Sequence, residues 1–399
     1  MNHWDVVVIG AGAAGMMCAL HAGYRGRRVL LIEHTKRAGR KILMSGGGRC
    51  NFTNMATGPQ HFYSANPHFC KSALKRYTPG DFVEMVERHG IEPVEKAPGQ
   101  LFCADSSQPI VDMLLTECSW AGVELRLSTR VDEVDVHEAG VRLATSGGEV
   151  VADRLVVATG GLSIPTLGAT GFAFDLARRL GLAVVTPRPA LVPLTLGEPW
   201  KARMAALSGL ASEVEVRCRD GRYREPLLLT HRGLSGPSIL KASNHWWPGD
   251  EIAIDWLPAV EDIAASLRQA RAETPSRTPA GWLGERLPKR LSQAMTEWLV
   301  PEASFDWQMR LSNCSNRQIE ALAAGLSHFR LKPAGSEGWR TAEVTMGGID
   351  TAALSSKDFS VKSHPRLHFV GEALDVTGQL GGHNLQWAWA SGVACAAAL

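Results

Sequence analysis

A short apolar run, Val6–Ile9, ends in Gly10-x-Gly12-x-x-Gly15, continues into small residues and reaches a second apolar run at Val29–Ile32. No other feature narrows the possible folds as far. The order predicts a strand, a helix over Ala13–Gly23 and a second strand, a βαβ unit. In such a unit the glycines permit a tight turn, and N–H groups at the helix N-terminus, around Ala13 and Ala14, receive a pyrophosphate. Glu33 closes the second strand at the separation where a carboxylate accepts hydrogen bonds from an adenosine ribose. A plain glycine-rich turn beside a solvated Glu would not require both flanking strands.

A nicotinamide dehydrogenase would need only this site, but more glycine follows in Ser45-Gly46-Gly47-Gly48-Arg49-Cys50-Asn51. Such a loop lets backbone approach a second flat or charged moiety, and Arg40, Lys41 and Arg49 could neutralise phosphate or an electron-rich ring. FAD is the favoured cofactor. Val156–Val157 then runs into Ala158, Thr159, Gly160 and Gly161, small residues where a dinucleotide would cross the sheet. Near the end, Phe369-Val370-Gly371-Glu372 offers an acidic group at a strand end for the ribityl chain. Gly381, Gly382, His383 and Asn384 open a helix whose positive end would favour charge developing on a flavin pyrimidine ring. Val131, Asp375 and Leu385 complete the expected cofactor contacts.

At 399 residues the chain exceeds what a single core usually serves. The pattern divides into a Rossmann part at 1–189, a β-rich insert at 190–258, a small helical insert at 259–330, a return of the β-rich insert at 331–346, and the remainder of the Rossmann part at 347–399. The fold class is therefore α/β, an FAD-binding Rossmann-like domain of the two-dinucleotide-fold kind interrupted by an insertion. The net charge of +2 advertises no nucleic-acid or membrane partner globally. Locally, Arg268, Arg271, Arg286, Lys289, Arg290 and Arg330 make the helical insert basic. Residues 1–10 read as a strand rather than a secretory signal, so the cytoplasm is the expected compartment. The eight cysteines include no C-x-x-C pair, so no metal site is expected, and no membrane span either.

With these residues in view, the sequence resembles the BaiN/RdsA family of NAD(P)/FAD-dependent oxidoreductases, formerly the YhiN-like flavoproteins. The resemblance is carried by Val8–Gly15, by the long block Gly39–Asn54, by Thr230–Pro237, by Thr341–Thr345 and by Gly371–Gly378. It implies an FAD domain interrupted by a β-barrel-like and helical insertion, and reduction of activated carbon–carbon double bonds. Members include ribosomal RNA dihydrouridine synthases of the RdsA type and bile-acid enone reductases of the BaiN type. The resemblance therefore implies large-subunit rRNA, or a ribosome assembly intermediate, as partner. One departure is His383, which stands where RdsA-like members carry tyrosine. No second G-x-G-x-x-G follows a strand, so NAD(P)H is expected only as a transient hydride donor.

Reducing a uracil or enone double bond needs a hydride on one carbon and a proton on its neighbour. Cys50, beside the flavin-loop glycines, is a candidate donor if its thiol keeps the usual pKa of about 8.5. His231, in a glycine- and proline-marked loop of the insert, is the other. Competing readings are a small-molecule enone reductase or amine oxidase, and a flavin-binding sensor without catalysis.

Overall fold

The computed structural model describes residues 3–299 and 305–399; residues 300–304, part of the expected helical insert, lie outside the described residues. His3–Ile9 (β1), Ala13–Tyr24 (α1) and Val29–Ile32 (β2) form the βαβ start. They are followed by Gln108–Trp120 (α2), Glu124–Arg126 (β3), Gly148–Val157 (β4), His364–Phe369 (β5) and His383–Ala396 (α3). The parallel order is β5-β4-β1-β2-β3, so β5, from near the end of the chain, lies one strand away from the first. Val157 pairs with Ile9 on one side and Phe369 on the other. β2 is buried throughout, as are Val6–Ile9 of β1, and both are accordingly runs of Val, Ile and Leu without polar alternation. Ser360–Val361 adds an antiparallel edge to β5, and the hairpin Val131–His137 with Gly140–Thr145 pairs antiparallel with β4.

The final helix is apolar all round and correspondingly buried, with Trp387 and Trp389 among the largest enclosed side chains. Small residues let it lie against α1. A Cβ added at Gly392 would stand 2.5 Å from the Ala14 carbonyl oxygen, and one at Gly371 would stand 2.8 Å from the Ala14 Cβ. Trp389 Nε1 donates to the Phe52 carbonyl (2.8 Å) and Trp387 Nε1 to that of Gly371 (3.0 Å), so neither buried indole is left unpaired.

The chain forms two compact units, one running to Pro189 and resuming at Glu343–Leu399, the other Ala190–Ala342. The second has its own core and a seven-stranded antiparallel sheet. Its edge strands, Phe329–Leu331 and Gly335–Ser336, do not pair with each other, so the sheet is open. Ile252–Asp255 and Phe329–Leu331 are adjacent strands, and the helices between them bury Leu267, Trp282, Leu291, Met295 and Leu322 in the same core as the sheet. The β-rich and helical inserts thus share one hydrophobic core. The return also differs in place from the sequence-based boundary at 346. Val344–Ile349 pairs with Val184–Ala190 rather than joining the insert sheet.

Candidate functional site

The glycines of the first turn are required for different reasons. Gly10 has φ +102°, and a Cβ there would lie 2.6 Å from the Ala158 oxygen; at Gly15 it would lie 1.8 Å from the Gly10 oxygen. Both are imposed by the chain itself. At Gly12, with an ordinary φ of −87°, a Cβ would meet no protein atom within 4 Å. Its missing side chain keeps space open at the N-terminus of α1 for something outside the chain. Glu33 sits beside this turn, accepting from Ala11 N (3.0 Å) and Thr35 N (2.8 Å). Gly39 N donates to the Ala11 carbonyl (2.8 Å), which ties the next loop to the turn.

That loop is a short helical stretch from Arg40 that breaks at Ser45, after which Gly46 and Gly47 take left-handed φ of 58° and 65°. Gly46 is hemmed in by Asn51 N, whereas Gly47 and Gly48 face open space. Gly160, at φ +72°, also faces open space, and the nearby Thr159 hydroxyl is buried with no partner. Glycines without neighbours and a partnerless buried hydroxyl suit a flat, polar ligand laid along backbone.

Lys41 gathers residues that are remote in sequence. Its Nζ donates to Ser163 Oγ (2.5 Å) and pairs with Glu372, while the other Glu372 oxygen accepts from Ser163 Oγ (2.9 Å) and Thr345 N (2.8 Å). Burial pushes the Glu372 carboxyl up, but Lys41 and these hydrogen bonds outweigh it and hold the group below the usual carboxylate range. Thr345 Oγ1 in turn accepts from Leu162 N (2.8 Å). Sequence reasoning named Lys41 and Glu372 but missed Ser163 and Thr345. The available signal was the Thr341–Thr345 block, which had no chemical role until its threonine was seen on the Gly161 loop. Arg40 donates instead to the Thr166 carbonyl (3.1 Å).

At the start of α3, His383 is buried and its ring stacks on His61, centroids 4.4 Å apart and planes 9° from parallel. Its Nδ1 lies 2.9 Å from Thr57 Oγ1, and His61 Nδ1 accepts from Gly58 N (3.2 Å). His61 was also missed, since a histidine in an unpatterned stretch carries no spacing signal. Gly382, at φ +92°, is pressed against the Thr53 carbonyl. Asn384 both accepts from Gly378 N and donates to Gly378 O, each at 2.8 Å, so its amide closes its own turn. Leu385 packs against the main core, where Val131 is also buried.

Cys50 needs correction, and the structure gives internal partners to Asp375 and to the basic insert. Cys50 is fully buried at φ +51°, and burial pushes its thiol up to about 12, so it lacks the ordinary acidity that made it a proton donor. Asp375 is buried and accepts from Ala65 N (2.9 Å); burial raises its carboxyl, and its observed partner is that loop. The basic side chains of the insert are largely engaged internally. Arg286 lies 4.0 Å over the Trp282 ring, Arg290 donates to the Ala206 carbonyl (2.6 Å), Arg271 donates to the Cys314 carbonyl (2.8 Å), and Arg268 pairs with Glu320. Lys289 remains exposed. His231 is exposed in the turn joining Gly221–Leu229 to Gly233–Ser235, within the second unit.

Among the described residues no group of three or more metal-ligating side chains converges, and no helix is long and apolar enough to cross a membrane. A parallel sheet with a pyrophosphate turn, completed by a C-terminal strand and buried helix, defines a Rossmann-like FAD-binding domain of the flavoprotein oxidoreductase class. More narrowly, the chain belongs to the family described as HI0933-like protein Rossmann domain, which matches residues 4–398. It is 47% identical over 398 residues to the Ribosomal RNA dihydrouridine synthase of Escherichia coli (strain K12), covering 99% of this chain and 98% of that one. A protein of the same description from Haemophilus influenzae (strain ATCC 51907 / DSM 11121 / KW20 / Rd) is 42% identical over 395 residues, with 98% and 97% covered. The 3-dehydro-bile acid delta(4,6)-reductase of Clostridium scindens (strain ATCC 35704 / DSM 5676 / VPI 13733 / 19) is 28% identical, with 96% of each chain covered.

Proposed function

We propose that this protein is an FAD-dependent oxidoreductase that uses NAD(P)H to reduce a uridine of large-subunit rRNA to dihydrouridine, in the cytoplasm, on naked rRNA or an assembly intermediate. The observation that carries this reading is the near-full-length identity to two ribosomal RNA dihydrouridine synthases. The open glycines and the Lys41 cluster support it, because they suit the cofactor such a reduction needs.

In this reading Gly10, Gly12, Gly15 and the first N–H groups of α1 hold the pyrophosphate, and Glu33 takes the ribose. Gly47, Gly48 and Gly160, which face open space, admit the remainder close to backbone, between Gly46 and Gly161 whose own turns are closed by Asn51 and Thr345. Glu372, kept ionised by Lys41, accepts hydrogen bonds from the ribityl hydroxyls. The N-terminus of α3 at His383 would offer its positive end to charge developing on the flavin ring. Bound FAD, once reduced, supplies a hydride to the electrophilic carbon of an activated double bond. The neighbouring carbon takes a proton, for which His231 is the proposed donor. Replacing His231 with alanine should leave reduction of the flavin by NAD(P)H intact and slow product formation by about 10²–10⁴-fold. Rapid-mixing kinetics separate the two half-reactions, and unchanged reoxidation by RNA would remove the assignment.

Nucleoside mass spectrometry of large-subunit rRNA from cells with and without the gene tests the substrate. Dihydrouridine should disappear with the gene. If it persists undiminished, the small-molecule enone reductase takes its place, a reading favoured by the likeness to the bile-acid reductase.

A further inference from the structure

α1 begins at the pyrophosphate turn and ends at Tyr24, about 18 Å away by the rise of an α-helix. There it meets the end of α2 so closely that a Cβ at Gly23 would stand 2.4 Å from the Ala121 carbonyl oxygen. At this meeting the chain exposes two large aromatic rings, Tyr24 at 50% and Trp120 at 67%. Among the described residues only one other large aromatic, Trp247, is comparably exposed, and it belongs to the second unit.

These rings are held rather than loose. The Tyr24 hydroxyl donates to the buried Glu117 (2.5 Å), which also faces His89 Nε2 (2.7 Å) and accepts from Arg88 (3.2 Å). Trp120, one turn beyond Glu117, stacks on the His89 ring at 5.3 Å. A buried carboxylate is costly unless it is paired, and this one is shared among three partners whose joint effect is to fix two exposed rings. Burial pushes Glu117 up, but Tyr24, His89 and Arg88 hold it below the usual carboxylate range, so its charge is neutralised locally. Arg25 and Arg27 follow Tyr24 and are exposed, as is Arg88. The exposed acids of the helix Pro79–Arg88 are Asp81, Glu84 and Glu87, of which Asp81 accepts from Thr78 N (2.6 Å), while Glu124 is occupied by Arg126 (2.7 Å).

We propose that this surface is an RNA-anchoring site remote from the reaction centre, which stacks unpaired bases on Tyr24 and Trp120 and holds the flanking phosphates with Arg25 and Arg27. Rigid exposed rings offer any base a face, and arginines beside them bind phosphate without reading sequence. The inference rests on the rRNA reading and adds a reason for a large substrate. A folded RNA can occupy this surface and the flavin site together, whereas a mononucleotide cannot span them.

The test uses full-length protein with bound flavin and large-subunit rRNA transcribed in vitro. Trp120→Ala should weaken RNA binding by roughly 5- to 150-fold, the loss of one base stack, and Trp120→Phe should restore most of it. The double variant Arg25→Ala/Arg27→Ala should lower the slope of log affinity against log salt by about 1.5. Flavin content and NAD(P)H oxidation with a small artificial acceptor should match wild type in each, which shows that the variants are folded. Affinity and salt slope within two-fold of wild type in both variants, while wild type binds and reduces rRNA, would overturn this inference alone. Failure of wild type to bind or reduce rRNA would overturn the substrate reading and this inference with it. A variant that changes from dimer to monomer in sedimentation would make the surface a contact between copies instead, which also overturns the proposal.

Discussion

At Gly15 a side chain would strike the chain, and at Gly12 it would strike nothing that the chain provides. Substitution should separate the two. Gly15→Val should prevent folding of the first unit. Gly12→Glu should fold with a melting temperature within about 2–4 °C of the flavin-free wild type, yet purify colourless. Flavin extraction and thermal melts decide it, and a yellow Gly12→Glu would refute the pyrophosphate role. Glu372 carries a pH expectation. Its folded value lies below the unfolded carboxylate value of about 4.3, so its contribution is complete above that pH and is lost as pH falls through the folded value. Wild type should therefore lose more melting temperature than Glu372→Gln between about pH 5 and 3; equal losses would show that Lys41 contributes nothing through it. Lys41, Ser163, Thr345 and Glu372 span most of the chain, and their convergence was not legible because no local period links them. Cys50 misled for a related reason: its neighbouring glycines advertised access, but burial is a property of the packed strand that follows.

Elements were legible where a pattern belonged to one segment. The alternation-free strands β1 and β2 and the small-residue helix between them follow directly from their sequence. Pro93–Ala97 and Gln100–Cys103, which with Asn51–Asn54 make a three-stranded sheet, were not recognised. Glu95 and Lys96 are exposed on that strand, so it has no apolar run to announce it. The strand Val344–Ile349 takes its register from pairing with Val184–Ala190 rather than from local propensity. α3 was expected from its small residues, and their purpose is the contact with α1. Gly392→Val should push the two helices apart and cost about 3 kcal/mol or more in stability, with flavin lost on gentle heating. Calorimetry with and without added FAD checks this. An unshifted transition would mean that the close approach to Ala14 is not needed.

For the molecule as a whole, length and changes of composition pointed to an interrupted domain, but not to a single core shared by the inserted strands and helices. That sharing depends on Ile252–Asp255 pairing with Phe329–Leu331, a contact across the helices themselves. The interruption also bears on how the protein is made. Ala190–Ala342 encloses its own core, so it can fold as soon as it leaves the ribosome. The nucleotide-binding unit must wait, because β5 and α3 are synthesised last, and β5 completes one side of its sheet while α3 fills its core. Nascent chains halted before residue 360 should show a protease-resistant insert and bind no FAD, whereas release of the complete chain should yield both at once. Flavin captured by the shorter chains would show that the first 189 residues close without their C-terminal partner. A cell short of FAD would then accumulate molecules whose insert is finished while their oldest residues are still waiting for their youngest.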